Sequence, residues 1–325
     1  MKKILITGGS GFIGSHVCEI FLKKGFKVKT IIKYNDNSNL GWVNHLKDSS
    51  NFNFSFGDIL DYPYLERTSK GFDYIIHLAA LISIPHSYEI PNSYVNNNIL
   101  GTLNILEAAR KNKIKFTVIT STSEVYGSAQ YTPICEKHPL NAQSPYAATK
   151  IASDQLALSY YRSFDLPLVI LRPFNTFGPR QSLKAVIPSM IMQIVKGKFP
   201  IQIGNLETSR DFTFAEDTAF AFFKAIQNRK KIMGQIINLG TGYAIKIKDV
   251  LSMLEIISKK KIPFVHKKNI FRPKKSEVNL LLSNNSKAKK KLNWFPKFNR
   301  KKGFYLALQK TFDWYSKKSN SSYYE

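Results

Sequence analysis

Cysteine is almost missing from this chain of 325 residues: Cys18 and Cys135 are all it has. Two cysteines so far apart, without metal-ligand spacing, exclude a disulfide framework and a zinc ribbon, and a reducing compartment would leave both as thiols. Cys18 falls in a helical stretch and is expected in the core, Cys135 in a loop. Long apolar runs are missing as well. None is long enough to span a bilayer, and residues 4–7, which follow Met1-Lys2-Lys3, are too few for the apolar region of a signal peptide. A cytoplasmic protein with no membrane partner is expected.

Acidic residues are scarce: 22 Asp and Glu stand against 48 Lys and Arg, a net charge of +26. Such an excess raises the question of a nucleic-acid surface. The lysines are spread over the whole chain, however, with short basic runs at 259–261, 289–291 and 300–302, and no RNA-recognition aromatic motif or zinc finger accompanies them. We read a Lys-rich solvated surface and no nucleic-acid partner. A positive field of this kind attracts small dianions. The rest of the composition, 43% hydrophobic and 22% charged, is that of a soluble globular protein. The length predicts a large first domain and a smaller second one.

Short β-type runs at residues 3–7, 28–32, 52–56, 74–77, 116–120 and 168–171 alternate with helical stretches, a pattern that predicts a parallel, doubly wound α/β sheet. After Pro179 the pattern loses regularity and gains prolines and basic residues. The expected division is a Rossmann-like dinucleotide-binding domain, 1–179 plus about 212–241, and a smaller α/β substrate-binding cap, 180–211 and 242–325. The tail from Lys317, with its Ser-Asn run, reads as poorly ordered.

Gly8, Gly11 and Gly14 lie where the first strand meets a helix beginning with Phe12 and Ile13. Absent side chains there permit a tight turn and close approach of backbone amides to a pyrophosphate. At the end of the second strand the chain has Ile32-Lys33-Tyr34-Asn35 in place of an early acidic residue, with Asp36 late for a ribose diol. Lys33 therefore tilts an NAD(P) choice towards NADP, and is read equally as one more surface lysine. Asp58, followed by Ile59, is positioned to accept from an adenine amino group or to serve a turn.

Tyr146 and Lys150 are four apart and share a helix face. The ammonium is expected to lower the phenol pKa and leave a tyrosine able to take a hydroxyl proton, the apparatus of alcohol oxidation. Upstream lies Ser121-Thr122-Ser123-Glu124-Val125-Tyr126-Gly127, where a carboxylate could act on a second position of the same substrate.

Gly8-x-x-Gly11-x-x-Gly14, His77-Leu78-Ala79-Ala80, Asn98-x-x-Gly101-Thr102, Tyr146-x-x-x-Lys150 and Arg172-Pro173-Phe174-Asn175 together resemble the extended short-chain dehydrogenase/reductase superfamily over nearly the whole chain. Within it, Thr122-Ser123-Glu124 resembles the triplet of nucleotide-sugar 4,6-dehydratases of the GDP-mannose type; the dTDP-glucose enzymes usually have Asp at the Ser123 position. The longer stretches around Glu124, residues 172–182 and Arg210-Asp211-Phe212 are most similar to bacterial GDP- or UDP-N-acetylglucosamine 4,6-dehydratases, some of which feed legionaminic-acid-type sugars.

The resemblance implies a bound, recycled NAD(P) and a nucleotide-diphosphate sugar. Tyr146 would take the proton of the sugar 4-hydroxyl as C4 loses hydride, with Lys150 supporting the phenol and the nicotinamide ribose. Glu124 would remove the C5 proton as water leaves C6, and Thr122 would hydrogen-bond the C4 oxygen. Ser123 is a poor acid, so Glu124 or a water would protonate the leaving hydroxyl. Leu78, Ala79, Ala80 and Asn98 would line the cofactor; Ser83, Ser87 and, less specifically, His86 the sugar pocket. Asn175, Arg210, Arg272 and Glu277 would contact the nucleotide diphosphate or its ribose, although each taken alone is equally a surface residue. No metal is assigned. The apolar faces of residues 91–111 and 146–161 would pair across a two-fold axis into a four-helix bundle, giving a homodimer, or else pack within one chain. Alternatives to dehydration are a nucleotide-sugar uronate decarboxylase, a 4-epimerase and, more remotely, a non-catalytic NAD(P) sensor or an RNA-associated protein.

Overall fold

A computed structural model describes residues 1–34, 39–266 and 278–324. The six β-type runs of the sequence are strands β1 (Lys3–Thr7), β2 (Lys27–Ile32), β3 (Phe52–Phe56), β4 (Tyr74–His77), β5 (Phe116–Thr120) and β6 (Leu168–Pro173). Shorter strands follow: β7 (Asn175–Phe177), β8 (Ile201–Ile203), β9 (Ser209–Phe214), β10 (Gln235–Leu239), β11 (Ala244–Lys246), β12 (Phe264–His266) and β13 (Leu280–Leu281). The helices of the first half are α1 (Phe12–Lys23), α2 (Tyr62–Ser69), α3 (Ile84–Glu89), α4 (Pro91–Tyr94), a π-helical turn Val95–Leu100, α5 (Gly101–Lys111) and α6 (Pro145–Phe164). The second half has α7 (Val186–Val195), α8 (Ala215–Gln227), α9 (Ile247–Ser258), α10 (Ser286–Leu292), α11 (Arg300–Ser316) and α12 (Lys318–Ser321).

Seven strands form one parallel sheet in the order β10-β6-β5-β4-β1-β2-β3. The order reverses between β1 and β4, which opens a crevice beyond their carboxyl ends. Side chains alternate along each strand: Ile4 and Ile6, Tyr74 and Ile76, Val169 and Leu171 enter the core beneath α1 and α8, while Leu5, Ile75, Leu168 and Ile170 enter the core beneath α2, α5 and α6. Burial on both faces is why these strands read as near-continuous apolar runs. β10 escaped that reading because polar Gln235 and Asn238 interrupt its five residues.

β7, β9, β11 and β13 make a small mixed sheet, and β8 pairs with β12. A separate apolar cluster joins Phe177, α7, β8, β9, α9 and α11. The segment Ser286–Leu292, grouped with the cap by the sequence, instead places Ala288, Leu292 and the following Trp294 in the core of the large sheet. Asp217 fixes this connection, since its carboxylate accepts from the backbone N–H of Lys297 and Phe298 and its carbonyl accepts from Trp294 Nε1.

The tail, expected to lack structure, is regular over 318–324. α12 and a 3-10 turn, Ser322–Tyr324, fold back so that Tyr323 stacks 4.0 Å from Trp42 and the Tyr324 hydroxyl donates to the Gln181 carbonyl at 2.8 Å. The Ser-Asn run concealed two tyrosines that supply the docking surface.

Candidate active site

At the start of α1 the three glycines differ in what they are needed for. Gly8 has φ +71°, and a Cβ there would lie 2.7 Å from Ala79 N, so only glycine lets the first turn pass beneath the chain leaving β4. A Cβ on Gly14 would lie 2.1 Å from the Gly8 carbonyl oxygen, so its absence seats α1 against the turn. Gly11 is different. It is exposed, has φ −81°, and a Cβ would come no closer than 3.4 Å to any protein atom. The chain itself has no use for that space. No side chain caps the helix, which leaves the backbone at Phe12 and Ile13 open to an anion. These residues fit a dinucleotide pyrophosphate.

Lys33 lies 3.5 Å from Asp58 across the ends of β2 and β3, the lysine exposed and the aspartate half-buried. The lysine is thus engaged by a carboxylate, which weakens the case for a 2′-phosphate partner. Asp58 also accepts from Leu60 N at 3.0 Å, the turn role foreseen for it. Ile59 turns inward, into the core against Gly101, so its side chain is closed to a cofactor. Asp36 lies outside the described residues.

Leu78, Ala79 and Ala80 leave β4 at the switch point, half-buried. Their path is set by buried groups. His77 bridges Thr7 Oγ1 at 2.8 Å and Thr102 Oγ1 at 3.2 Å, and burial lowers its pKa to about 3, so the imidazole is neutral. Asn98 is committed in the same way: its Oδ1 accepts from Leu81 N, while its Nδ2 donates to the Leu81 carbonyl and to Thr149 Oγ1. It shapes the loop after β4 and does not present its amide to the crevice. The π turn carrying it has a further use, because the Asn98 carbonyl accepts from both Thr102 Oγ1 and Ser153 Oγ. Ser87 is fully buried and donates to the Ile84 carbonyl; Ser83 precedes α3, and its carbonyl accepts from the Tyr94 hydroxyl. His86 Nδ1 sits 3.4 Å from that hydroxyl. The Tyr94 ring meets Tyr146 edge-on at 6.3 Å, so this segment forms a wall beside Tyr146.

Tyr146 and Lys150 lie in the first turns of α6, where Ser144 accepts from Ala147 N and Pro145 opens the helix. Opposite them β5 ends and Thr122 caps a 3-10 turn, Ser123–Tyr126, by accepting from Glu124 N at 3.2 Å. Gly127, φ +60°, ends the turn; a Cβ there would lie 2.2 Å from the Asn141 carbonyl oxygen. Thr122 lies on the side of the Tyr146 phenol and favours its ionised form, while the negative charge of Glu124 opposes it. Ser123 is buried, and its hydroxyl has no hydrogen-bond partner among the described residues.

The phenol departs from the sequence expectation. Burial, reinforced by the Glu124 charge, holds its pKa above the usual tyrosine value, with Thr122 pulling the other way. The Lys150 ammonium donates to the Thr120 carbonyl at 2.7 Å. Burial brings the Lys150 pKa down to about 8, and Asp154 opposes the fall.

Sequence reasoning missed the polar network beneath these groups. Asp154 Oδ2 accepts from Ser121 Oγ at 2.8 Å, Arg172 Nε at 3.0 Å and Arg172 Nη2 at 2.9 Å. Arg172 Nη1 donates to the Tyr126 hydroxyl, which in turn donates to Asn238 Oδ1. The signal was available: Asp154 falls four residues after Lys150, and Arg172 stands in the Arg-Pro-Phe-Asn motif.

Towards the small mixed sheet, Asn175 begins β7 with its Oδ1 buried and unpartnered among the described residues. Arg210 lies on β9, mostly buried, and its guanidinium donates to the Ser209 carbonyl at 3.0 Å. Its neighbour Asp211 receives Thr241 N and Oγ1, Gly242 N and Ser283 N on its two oxygens, which fixes the strand that bears the arginine. Arg272 and Glu277 lie outside the described residues. Among the described residues no group of three His, Cys, Asp or Glu is placed to hold a metal ion, and no helix is long and apolar enough to cross a membrane.

The family model for GDP-mannose 4,6 dehydratase matches residues 5–305. A dTDP-D-glucose 4,6-dehydratase of Dictyostelium discoideum is 36% identical over 79% of this chain, which spans 62% of that protein's length. The UDP-glucuronic acid 4-epimerase of Bacillus cereus, solved with UDP-glucuronic acid and NAD, superposes with a TM-score of 0.87 at 32% identity, covering 96% of this chain and 98% of its own. The dTDP-glucose 4,6-dehydratase of Bacillus anthracis, solved with NAD, gives a TM-score of 0.85 at 28% identity, covering 98% of each chain. With a glycine turn fitted to a dinucleotide and a Tyr-Lys pair at the crevice, the chain belongs to the GDP-mannose 4,6-dehydratase family, NAD-dependent nucleotide-sugar dehydratases and epimerases of the extended short-chain dehydrogenase/reductase superfamily.

Proposed function

We propose that the protein is a nucleotide-sugar 4,6-dehydratase that converts a nucleoside-diphosphate hexose, GDP- or UDP-N-acetylglucosamine in the first instance, into its 4-keto-6-deoxy derivative. The observation that carries this reading is Glu124. A carboxylate beside the Thr122–Tyr146 pair is not needed to oxidise C4, but is needed to take the proton from C5.

A dinucleotide held on the glycine turn would supply a hydride acceptor for C4 and a hydride donor for C6. The chain's own residues do the rest. Tyr146 accepts the 4-hydroxyl proton as its phenolate, after its own proton has passed to solvent, and its raised pKa makes that phenolate a strong base. Thr122 steadies the oxygen from which that proton leaves, and Lys150 supplies positive charge from a buried position. The C4 ketone acidifies C5. Glu124 removes the C5 proton and, on the same face, passes a proton to the departing 6-hydroxyl, a duty that the Ser123 hydroxyl is too weakly acidic to assume. Asn175, with an unsatisfied oxygen, and Arg210 would receive the nucleotide part, and the carrier of the stored hydride would rest on Gly8, Gly11, Phe12, Ile13 and Gly14.

A 4-epimerase is the second reading, favoured by the likeness to the Bacillus cereus enzyme. Incubating the protein with GDP-, UDP- and dTDP-hexoses and a nucleotide-linked uronate, and analysing the products by mass and by chromatographic separation of epimers, separates the readings. Loss of one water mass is the expected result; an isobaric C4 epimer would replace dehydration with epimerisation, and loss of carbon dioxide from a uronate would make the protein a decarboxylase. We also propose a homodimer through the helices at residues 91–111 and α6, on the exposure of Val95 (46%) and Leu100 (43%).

A further inference from the structure

Asp154 is wholly buried, and its two oxygens are treated unequally. Oδ2 accepts from Ser121 and twice from Arg172, whereas Oδ1 has no hydrogen-bond partner among the described residues. A buried carboxylate oxygen without a donor is retained against a desolvation cost, so charge near it has to compensate. Arg172 makes the ion pair with this carboxylate at 2.9 Å, and Lys150, buried on the same helix one turn earlier, is the second cation whose charge acts on it through space.

Two bonds run side by side here. Lys150 Nζ donates to the carbonyl of Thr120, and Asp154 holds the hydroxyl of Ser121, so successive turns of α6 grip successive residues at the end of β5. The next residue, Thr122, opens the turn that carries Glu124. We propose that Asp154 is a positioning residue of the reaction: it is the counterion that keeps Lys150 charged in a dry site, and with Ser121 it sets the register that brings Thr122 and Glu124 to Tyr146. This rests on the Tyr146–Lys150 oxidation, which the dehydratase and epimerase readings share.

The groups around the Lys150 ammonium allow little else to do this. Tyr146 on its own helix has a raised pKa and is neutral while the site is free of cofactor and substrate. His77, from β4, is neutral below the physiological range. Arg172, from β6, is a cation and disfavours a second charge nearby. Glu124, after β5, acts on Tyr146.

The test follows one lysine. Full-length protein is labelled with [ε-13C]lysine, and the Lys150 signal is identified by its loss in Lys150→Met. In Asp154→Asn the Lys150 titration midpoint should fall by one pH unit or more, a tenfold change in protonation, and the alkaline limb of turnover should move by the same amount. In Ser121→Ala, which loosens the register but keeps the charge, the midpoint should stay while turnover falls several-fold. Asp154→Asn leaves Arg172 unpaired, so the reciprocal measurement guards against misfolding: in Lys150→Met the 13Cγ signal of Asp154 should titrate at higher pH than in the parent protein. An Asp154→Asn protein that folds with the Lys150 midpoint unmoved, or an Asp154 carboxyl indifferent to loss of Lys150, overturns the proposal. Neither titration needs substrate, so both outcomes stand whichever sugar reaction the protein performs.

Discussion

Glu124 and Tyr146 divide the proposed chemistry between two residues that can be silenced separately. Glu124→Gln keeps the shape of the turn but removes the base, so C4 oxidation should persist, seen as reduced nicotinamide absorbance, while deuterium uptake at C5 slows by roughly 10²–10⁴-fold. Parental uptake in that variant would assign the base elsewhere. His16 carries a pH prediction. Burial, then Arg180, lowers its pKa from 6.5 to about 4. Between those values the unfolded chain binds a proton that the folded chain refuses, so stability falls as pH drops from 6.5 towards 4, by about 3 kcal/mol at the acid end. Urea unfolding of His16→Gln should show a shallower fall over the same window; an equal slope would contradict the assignment. The candidate residues were legible because Tyr-x-x-x-Lys and Thr-Ser-Glu are local strings whose chemistry follows from residue type. Their ionisation was not. Neither the burial of Tyr146 nor the diversion of Lys150 to the Thr120 carbonyl can be read from spacing, because both arise from groups more than twenty residues away.

The turn from β1 into α1 separates glycines that pack from glycines that bind. Gly14→Ala forces a methyl towards the Gly8 carbonyl and should cost about 1–3 kcal/mol of stability. Gly11→Ala meets no such contact and should leave the unfolding midpoint of the cofactor-free protein nearly unchanged, while nucleotide retention, measured by fluorescence of the released dinucleotide, falls at least tenfold. Equal destabilisation by both would show that Gly11 is a packing residue after all. At this scale the parallel strands were readable because two-sided burial makes them uninterrupted apolar runs. β10 was hidden by the polar residues that its neighbours require, and the π turn at Val95–Leu100 was hidden because its cause, two hydroxyls converging on one carbonyl, joins α5 to α6.

Across the whole molecule, the final turns reach from the second apolar cluster to the nucleotide end of the first. Trp42 N donates to the Ser10 carbonyl inside the glycine turn, and its ring meets Tyr323 at 4.0 Å and Trp314 at 5.4 Å. Trp42→Ala should therefore release the tail, lower stability by roughly 2 kcal/mol or more, and make residues 317–324 an early site of limited proteolysis. An unchanged cleavage pattern would show that the tail is held by α11 alone. The tail is also where composition misled most, since its serines and asparagines outnumber the tyrosines that anchor it.

The buried chain of groups Ser121, Asp154, Arg172, Tyr126 and Asn238 passes from the end of β5 through α6 and β6 to the edge strand β10. An edge strand ordinarily frays on its own, because half of its backbone partners are missing. Here fraying of β10 would strip the buried Tyr126 hydroxyl, which holds Arg172, of its acceptor, so the margin of the sheet is tied to the groups beneath the reaction centre.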